Sequence, residues 1–156
     1  MGITIDVTDI VDDKVRQTIL EFLLQYNAER TGHRDQRPLA VLLSDQKREI
    51  IGGLLGRTGY GWLFVEIVFV PPSLRTRGLG RELMLRAEAE AIARGCHSAW
   101  FDTFEFQARG FYERLGYSCF GELNEYPTGF SRYFMTKTLA SAVVSGNNGL
   151  QKTVID

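Results

Sequence analysis

The segment from Val70 to Arg81, VPPSLRTRGLGR, has the composition of an anion-binding loop. It contains three arginines and two glycines and no acidic residue, and it joins an apolar stretch to a segment of helical composition. Glycines in the first turn of a helix let a ligand approach the backbone, and the unpaired amides and the helix dipole there favour an anion. The segment therefore predicts a phosphate cradle. A solvated basic helix start, whose glycines only ease a turn, explains the composition equally well, and the spacing fits neither the Walker loop nor the dinucleotide fingerprint.

Glu66 is the only charged residue in the apolar segment WLFVEIVFV. Strict alternation along a strand would place it on the same face as Phe64, Val68 and Val70. Because burial of an isolated carboxylate is costly, we expect Glu66 to have a partner, access to water or a raised pKa. A structural pair with an arginine would satisfy this requirement.

Three helices and a series of short strands must hold these residues in place. Apolar residues recur at intervals of three and four in the helical segments and alternate with polar residues, or form short apolar runs, in the strands. The predicted helices run from Asp12 or Asp13 to about Arg30, from Leu79 to Arg94 and from Gln107 to Leu115, and the predicted strands lie at 3–7, 38–45, 50–57, 62–70, 96–104, 117–122 and 131–138. The fold class is therefore α/β with a mixed sheet, and residues 38–70 predict an antiparallel meander.

Length and composition narrow the classes of function. A chain of 156 residues that is 44% hydrophobic and 24% charged is the size of one domain with one core. A net charge of -1 provides no broad positive field for DNA or RNA, so no nucleic-acid partner is expected. No apolar run approaches the roughly 20 residues of a membrane-spanning helix, so no membrane partner is expected either.

The cysteines and the two ends of the chain complete this description. Cys96 and Cys119 stand singly, which favours reduced structural thiols over a disulfide, and neither they nor the histidines have the spacing of a metal site. The first residues lack the pattern of a secretory signal, so a cytoplasmic location is expected. Residues 140–156 have no sustained period and predict a mobile C-terminal tail.

Two motifs, met in the expected order, resemble those of the GNAT superfamily of N-acetyltransferases. The first resembles the family's cofactor motif, in which a strand ends and R-x-x-G-x-G opens the next helix, at Val70, Pro72, Arg75, Gly78 and Gly80. The second is ARGFYERLGY, residues 108–117, which resembles the family's second motif. The likeness covers residues 50–139. The position where the family often has an asparagine is Glu105 here, and the neighbouring Gln107 is the alternative source of that polar contact.

The resemblance implies a fold and a co-substrate. It implies a single GNAT-like domain over residues 1–139, with a mostly antiparallel sheet of six to seven strands flanked by helices, and splayed central strands that form the cleft for acetyl-CoA. By position in the motif, the backbones of Val68, Phe69 and Val70 would pair with pantetheine. The pyrophosphate would lie against Arg75, Thr76, Arg77, Gly78, Leu79, Gly80 and Arg81.

The resemblance also implies catalytic roles, each with a simpler alternative. Tyr112 matches the motif tyrosine and would protonate the departing thiolate, because a phenol is protonated at neutral pH; the alternative is a packing tyrosine. Glu66 resembles the general base of some family members, acting directly or through water. Less specific candidates, each at least as well explained as a surface or structural residue, are His33, His97, Asp102, Glu105, Glu122, Glu125 and Tyr126.

The function that follows is direct transfer of an acetyl group from acetyl-CoA to a primary amine, with a small molecule as the expected acceptor. Family members often pair, so a homodimer is expected. The first alternative is a catalytically silent acyl-CoA sensor or protein-interaction domain that keeps the cradle without turnover. The second is an unrelated phosphate-binding domain.

Overall fold

The computed structural model describes residues 2–144 and 150–154, and the chain divides into two compact units at Arg34. The first unit contains one helix, α1 (Asp13–Thr31), as the sequence predicts. The carboxylate of Asp12 caps it by accepting the N–H of Val15 at 2.9 Å, and Gly32 ends it with a left-handed φ of 73°. The helix therefore begins directly after its N-cap Asp12 and ends directly before its C-cap Gly32.

The predicted strand at Ile3, Ile5 and Val7 is wrong. The backbone of these residues has no regular structure, and all three side chains are exposed. An alternating pattern forms a strand only where another strand offers hydrogen bonds, and residues 3–7 pair with no described strand.

The second unit is built on a six-stranded sheet in the order β1-β2-β3-β4-β6-β5. The strands are β1 (Arg37–Ser44), β2 (Ile50–Gly59), β3 (Trp62–Phe69), β4 (Ser98–Phe104), β5 (Ser118–Leu123) and β6 (Arg132–Thr138). Every neighbouring pair is antiparallel except β3 and β4. This parallel pair requires a crossover, which is supplied by the helix α2 (Leu79–Ala93). A short helix, α3 (Arg109–Arg114), joins β4 to β5.

The two central strands part after a short paired stretch. Pairing between β3 and β4 extends only from Trp62 to Phe64 on β3. On the other side of β3, Leu55 pairs with Ile67 whereas Gly56 pairs with Val65, so a bulge leaves Glu66 without a partner in the register. A bulge bends its strand and re-aims the side chains beyond it. The splayed central strands expected for the cofactor cleft are therefore present.

The bulge corrects the predicted face of Glu66. Phe64 pairs with Arg57 and Val68 pairs with Leu54, and residues three apart on β2 point to opposite faces of the sheet. Phe64 and Val68 therefore lie on opposite faces, and the uninterrupted alternation expected for this segment is wrong.

The core lies between the sheet and α2. Its fully buried side chains come from β2, β3, β4, β6 and the inner face of α2, and they are Leu54, Leu63, Met84, Ala87, Ala91, Ala99 and Met135. Cys96 is buried and Cys119 half-buried, and both are free thiols; burial raises the pKa of Cys96. The core fixes the sheet and α2 as one framework, and the cradle segment begins α2.

The backbone after β6 forms a two-stranded antiparallel hairpin, β7 (Ala140–Val144) with β8 (Leu150–Val154). No periodic pattern in residues 140–154 predicts these strands. Residues 145–149 and 155–156 of the expected tail lie outside the described residues, and the mobility of the tail stays a prediction. In the described part of the chain, no helix combines the length and apolar character needed to cross a membrane.

Candidate active site

A cleft of about 1070 Å³ opens where β3 and β4 part. Its walls come from the second half of β3, the segment before and at the start of α2, the end of β4, and α3. The lining residues include nearly all those predicted from the motifs: Glu66, Val68, Phe69, Val70, Arg75, Thr76, Gly78, Leu79, Gly80, Arg81 and Tyr112. Arg77 is exposed and does not line the cleft. The fold therefore brings the two motifs to one cavity.

The cradle segment is held in shape by a hydrogen bond from the Arg75 side chain and by two residues with left-handed backbone. The guanidinium Nε of Arg75 donates to the carbonyl of Val70 at 3.0 Å, which fastens the segment to the end of β3. Thr76 and Gly78 adopt left-handed φ values of 64° and 78°. Among the residues that the structure describes, no side chain caps the start of α2. The first amides of this helix have no intrahelical acceptor and can receive an anion.

Gly80 brings α2 and α3 close together. A Cβ atom at this position would lie 3.2 Å from the ring of Phe111. Gly78 is different, because nothing lies within 4 Å of the equivalent position and its need for glycine comes from its positive φ. One glycine permits close packing between the two motifs, and the other permits the turn of the cradle.

Tyr112 lies on the wall of the cleft. Its ring packs at 4.4 Å from the ring of Phe101 and at 5.0 Å from that of Phe111. Burial raises the pKa of Tyr112, so the phenol keeps its proton well above neutral pH. The side chain can therefore act as a proton donor in the cleft.

A buried polar cluster, which is not predicted from the sequence, includes Tyr117, whose ring lies 6.4 Å from that of Tyr112. The hydroxyl of Tyr117 donates to Glu88 at 2.8 Å, and Nζ of Lys137 lies 3.1 Å from the other carboxylate oxygen. The side chains of Glu88 and Lys137 are both more than nine-tenths buried. The signal was available, because Glu88 falls between Met84 and Ala91 on the apolar stripe of α2, where a charge requires a partner.

Glu66 is accessible and lies at the mouth of the cleft. Its side chain is 55% exposed, and a guanidinium nitrogen of Arg57 lies 4.0 Å away. The sequence predicts a partner or access to water for this carboxylate, and the structure has both. An exposed ion pair of this length holds neither group firmly. The carboxylate of Glu66 is therefore accessible to a group in the cleft and is not held by a strong ion pair.

Asp102 and Gln107 both line the cleft but are held by neighbouring residues. Asp102 forms an ion pair with Arg132, whose Nε and Nη2 atoms lie 2.7 Å and 2.5 Å from Oδ1 of Asp102. The side-chain oxygen of Gln107 accepts the hydroxyl of Thr103 and the N–H of Phe104. These contacts fix the end of β4 on the wall of the cleft.

The other candidates lie away from the lining. The carboxylate of Glu105 accepts the N–H of Ser131 at 2.8 Å, and that of Glu125 accepts the N–H of Gly129 at 3.1 Å. His97 contacts the hydroxyl of Ser98 and the edge of a tryptophan ring. The cleft is not lined by Glu122, Glu125, Tyr126 or His97, and His33 belongs to the first unit. Among the residues that the structure describes, no three metal-binding side chains are grouped as a site.

Comparison with known proteins identifies the family. A model described as the acetyltransferase (GNAT) family matches residues 7–117. Acetyltransferase Atu2258 of Agrobacterium fabrum is 35% identical over 131 residues, which are 84% of this chain and 96% of that protein. Blasticidin-S acetyltransferase of Streptomyces morookaense is 37% identical over 114 residues, 70% of this chain and 84% of that protein. A solved structure from Agrobacterium tumefaciens gives a TM-score of 0.82 at 34% identity, over 88% of this chain and 100% of that one.

The chain belongs to the GNAT family of acetyltransferases. It is an acetyl-CoA-dependent acetyltransferase. The resemblance, the α/β fold and the co-substrate expected from the two motifs are confirmed.

Proposed function

We propose that the protein transfers an acetyl group from acetyl-CoA directly to the primary amine of a small molecule. The observation that carries this proposal is the shape of one cleft. The uncapped start of α2 lies on its wall, the unpaired edge of β3 runs along it, and the phenol of Tyr112 lines it. An anion-binding end, a strand edge and a proton donor are what a thioester coenzyme and its reaction require.

The residues present fit acetyl-CoA. Beyond Phe64 the β4-facing edge of β3 is unpaired, so the backbones of Val68, Phe69 and Val70 are available for the amide groups of pantetheine. The amides of residues 76–81 and the exposed guanidinium group of Arg81, which lines the cleft, would hold the pyrophosphate. Arg75 has a different part, because its side chain is bonded to the carbonyl of Val70 and shapes the cradle.

The chemistry needs one proton acceptor and one proton donor. Bound acetyl-CoA supplies a thioester carbonyl as the electrophile. Glu66, directly or through water, takes a proton from the acceptor ammonium, so that the amine nitrogen is free to attack. A C–N bond forms as the C–S bond breaks, and Tyr112 gives its proton to the sulfur. The nitrogen then loses its remaining excess proton, which returns through water to the tyrosinate, and Glu66 releases its proton to solvent. The residues end unchanged, and one proton is released overall.

Two observations favour a small-molecule acceptor. A relative that is 37% identical is named as a blasticidin-S acetyltransferase, so an enzyme similar over 70% of this chain acts on a small molecule. The net charge of -1 provides no field to attract a nucleic acid. We therefore place small amines, including blasticidin S, first among the acceptors.

The test measures thiol release from acetyl-CoA across amines, with mass spectrometry of the products. The panel contains blasticidin S, aminoglycosides, polyamines, amino acids, and peptides with free amino termini or lysines. We expect release that depends on one class of small amine and a product that carries one acetyl group on nitrogen. Preference for the peptides would overturn the small-molecule acceptor. Acetyl-CoA binding without amine-dependent release would overturn the transfer reaction and favour the sensor.

A further inference from the structure

Four aromatic side chains form a wall beside the cleft, and we propose that this wall binds a flat ring carried by the acceptor. The aromatic wall comprises Phe104 and Phe106, at and just after the end of β4, and Tyr126 and Phe130, in the loop between β5 and β6. The inference rests on the proposed function and adds to it the chemical class of the acceptor. That class is a primary amine bearing an aromatic or heteroaromatic ring.

The geometry of the aromatic wall suits a flat ligand. Phe104 is stacked with Phe106 at 5.2 Å and 8° between planes, and with Tyr126 at 5.7 Å and 12°. Phe130 meets the edge of Phe106 at 5.3 Å. Phe106, Tyr126 and Phe130 nevertheless remain 57%, 46% and 42% exposed. Neighbouring exposed aromatic groups with parallel planes mark a binding surface, because parallel rings accept a further ring in an offset stack.

Hydrogen bonds order the backbone that carries the aromatic wall before any ligand binds. In the loop, the N–H of Tyr126 donates to the carbonyl of Phe130 at 2.8 Å, and the N–H of Phe130 donates to the carbonyl of Pro127 at 2.9 Å. Glu105 joins the other end of this loop to the end of β4, since its N–H donates to the carbonyl of Ser131 and its carboxylate accepts the Ser131 N–H. A loop whose backbone is already ordered by hydrogen bonds loses less conformational entropy when it binds a ligand.

The charges beside the aromatic wall are already paired. The guanidinium carbon of Arg132 lies 4.8 Å and 5.0 Å from the ring centres of Tyr126 and Phe104, and its charge is balanced by Asp102. The carboxylates of Glu105 and Glu125 accept backbone N–H groups. A cationic acceptor therefore has less to gain here from these carboxylates than from the exposed parts of the rings of Phe106, Tyr126 and Phe130.

The aromatic wall continues the cleft. Phe104 and Phe106 line the cavity that also contains Tyr112 and Glu66. An acceptor whose amine lies between the proton donor and the proton acceptor can therefore extend its remaining atoms onto the wall. This continuity assigns the wall to the acceptor of the reaction rather than to a separate ligand.

The experiment compares two amines that differ in ring planarity. Values of kcat/KM are measured for 2-phenylethylamine and for 2-cyclohexylethylamine, which has a saturated ring of the same connectivity. We expect the flat ring to be favoured about tenfold, the size of one good aromatic contact. Tyr126→Leu and Phe130→Leu should each move the ratio of the two kcat/KM values toward one. Phe120→Leu is the control, because Phe120 is also exposed, at 60%, but packs against Phe134, outside the aromatic wall.

A binding measurement separates failure of this inference from failure of the proposed function. Calorimetry with 2-phenylethylamine, in the presence of CoA, should show tighter binding to the wild type than to Tyr126→Leu even if no amine is acetylated. Equal kcat/KM for the two amines, with a ratio unmoved by the variants, would overturn the inference while the transferase stands. Weaker acetyl-CoA binding by Tyr126→Leu would also overturn it, because the wall would then hold the coenzyme.

Discussion

The hydroxyl of Tyr117 donates a 2.8 Å hydrogen bond to the carboxylate of Glu88, and this bond ties α2 to the residue that precedes β5. The amide of Tyr117 in turn donates to the carbonyl of Tyr112 at 3.1 Å. The helix that begins at the cradle is therefore linked through two hydrogen bonds to the proposed proton donor. Lys137 on β6 completes the group and balances the charge of Glu88.

Removal of Glu88 alone should be strongly destabilising. Glu88→Leu leaves the ammonium of Lys137 buried without a partner, and a broken buried pair costs about 3–5 kcal/mol of the free energy of unfolding. The double variant Glu88→Leu with Lys137→Met should recover much of that loss, since it buries no unpaired charge. Urea denaturation of the two variants measures the difference. Equal free energies of unfolding for the single and double variants would show that Glu88 and Lys137 are not energetically coupled.

Stability at alkaline pH should depend on Tyr117. Burial first, and then the negative charge of Glu88, raise the pKa of Tyr117 above its ordinary value of 10.0. Above pH 10 the unfolded chain releases a proton that the folded chain retains, so the free energy of unfolding falls as pH rises. Tyr117→Phe lacks this proton, so its free energy of unfolding should fall less steeply than that of the wild type between about pH 10 and 11. Burial also raises the pKa of Tyr112, which lowers the free energy of unfolding at alkaline pH in both proteins alike. Parallel curves for the two proteins would contradict the assignment.

Tyr112→Phe should lower turnover far more than it weakens acetyl-CoA binding. General acid catalysis contributes about 10²–10⁴ in rate, and the ring, which packs against Phe101, is kept in the variant. The readouts are kcat with the best acceptor and the calorimetric Kd for acetyl-CoA. Tyr60→Phe, in the turn between β2 and β3, is the matched control. Unchanged kcat in Tyr112→Phe would return this tyrosine to a packing role.

Glu66→Gln should flatten the fall of kcat/KM at acid pH. The amide keeps the size of the side chain but cannot accept the proton of the acceptor ammonium. Glu49→Gln, an exposed carboxylate outside the cleft lining, is the control. If the rate profile of Glu66→Gln has the same acid limb as the wild type, Glu66 is a partner of Arg57 and not the base.

Gly78→Ala should weaken acetyl-CoA binding. The positive φ of 78° disfavours any side chain with a Cβ by about 1–2 kcal/mol, although the space around it is open. Gly78→Asn should be milder, since asparagine enters the left-handed region more readily. Gly95→Ala has the same type of strain after the opposite end of α2, with a φ of 90° and open space, and tests stability without touching the cradle. Equal loss of acetyl-CoA affinity in Gly78→Ala and Gly95→Ala would show a general effect of stability.

The elements whose signals are local were predictable from the sequence. The first helix is specified by Asp12 and Gly32 at its ends, and the cradle by the spacing of Arg75, Gly78 and Gly80. Tyr112 is predicted from the resemblance of a second short motif, residues 108–117, and its role as proton donor stays a prediction. Each of these features depends on residues close together in the chain.

Features that depend on distant pairing were not predictable. The bulge at Glu66 is visible only in the register with β2, and it reverses the face of every later residue on β3. The partners of Glu88 lie at positions 117 and 137, far along the chain. The aromatic wall likewise assembles from the end of β4 and a loop beyond β5. Alternation at Ile3 to Val7 failed for the same reason, because a strand needs an edge that the pattern itself does not reveal.

Titration of acetyl-CoA and ATP into the protein, followed in the same sample by thiol release on addition of amines, tests the central claim most directly. The structure predicts that acetyl-CoA binds at one site, that ATP binds more weakly, and that thiol appears only when an amine is present. Failure of acetyl-CoA to bind, or equal binding of ATP, would contradict the assignment of the cleft between β3 and β4 to the coenzyme.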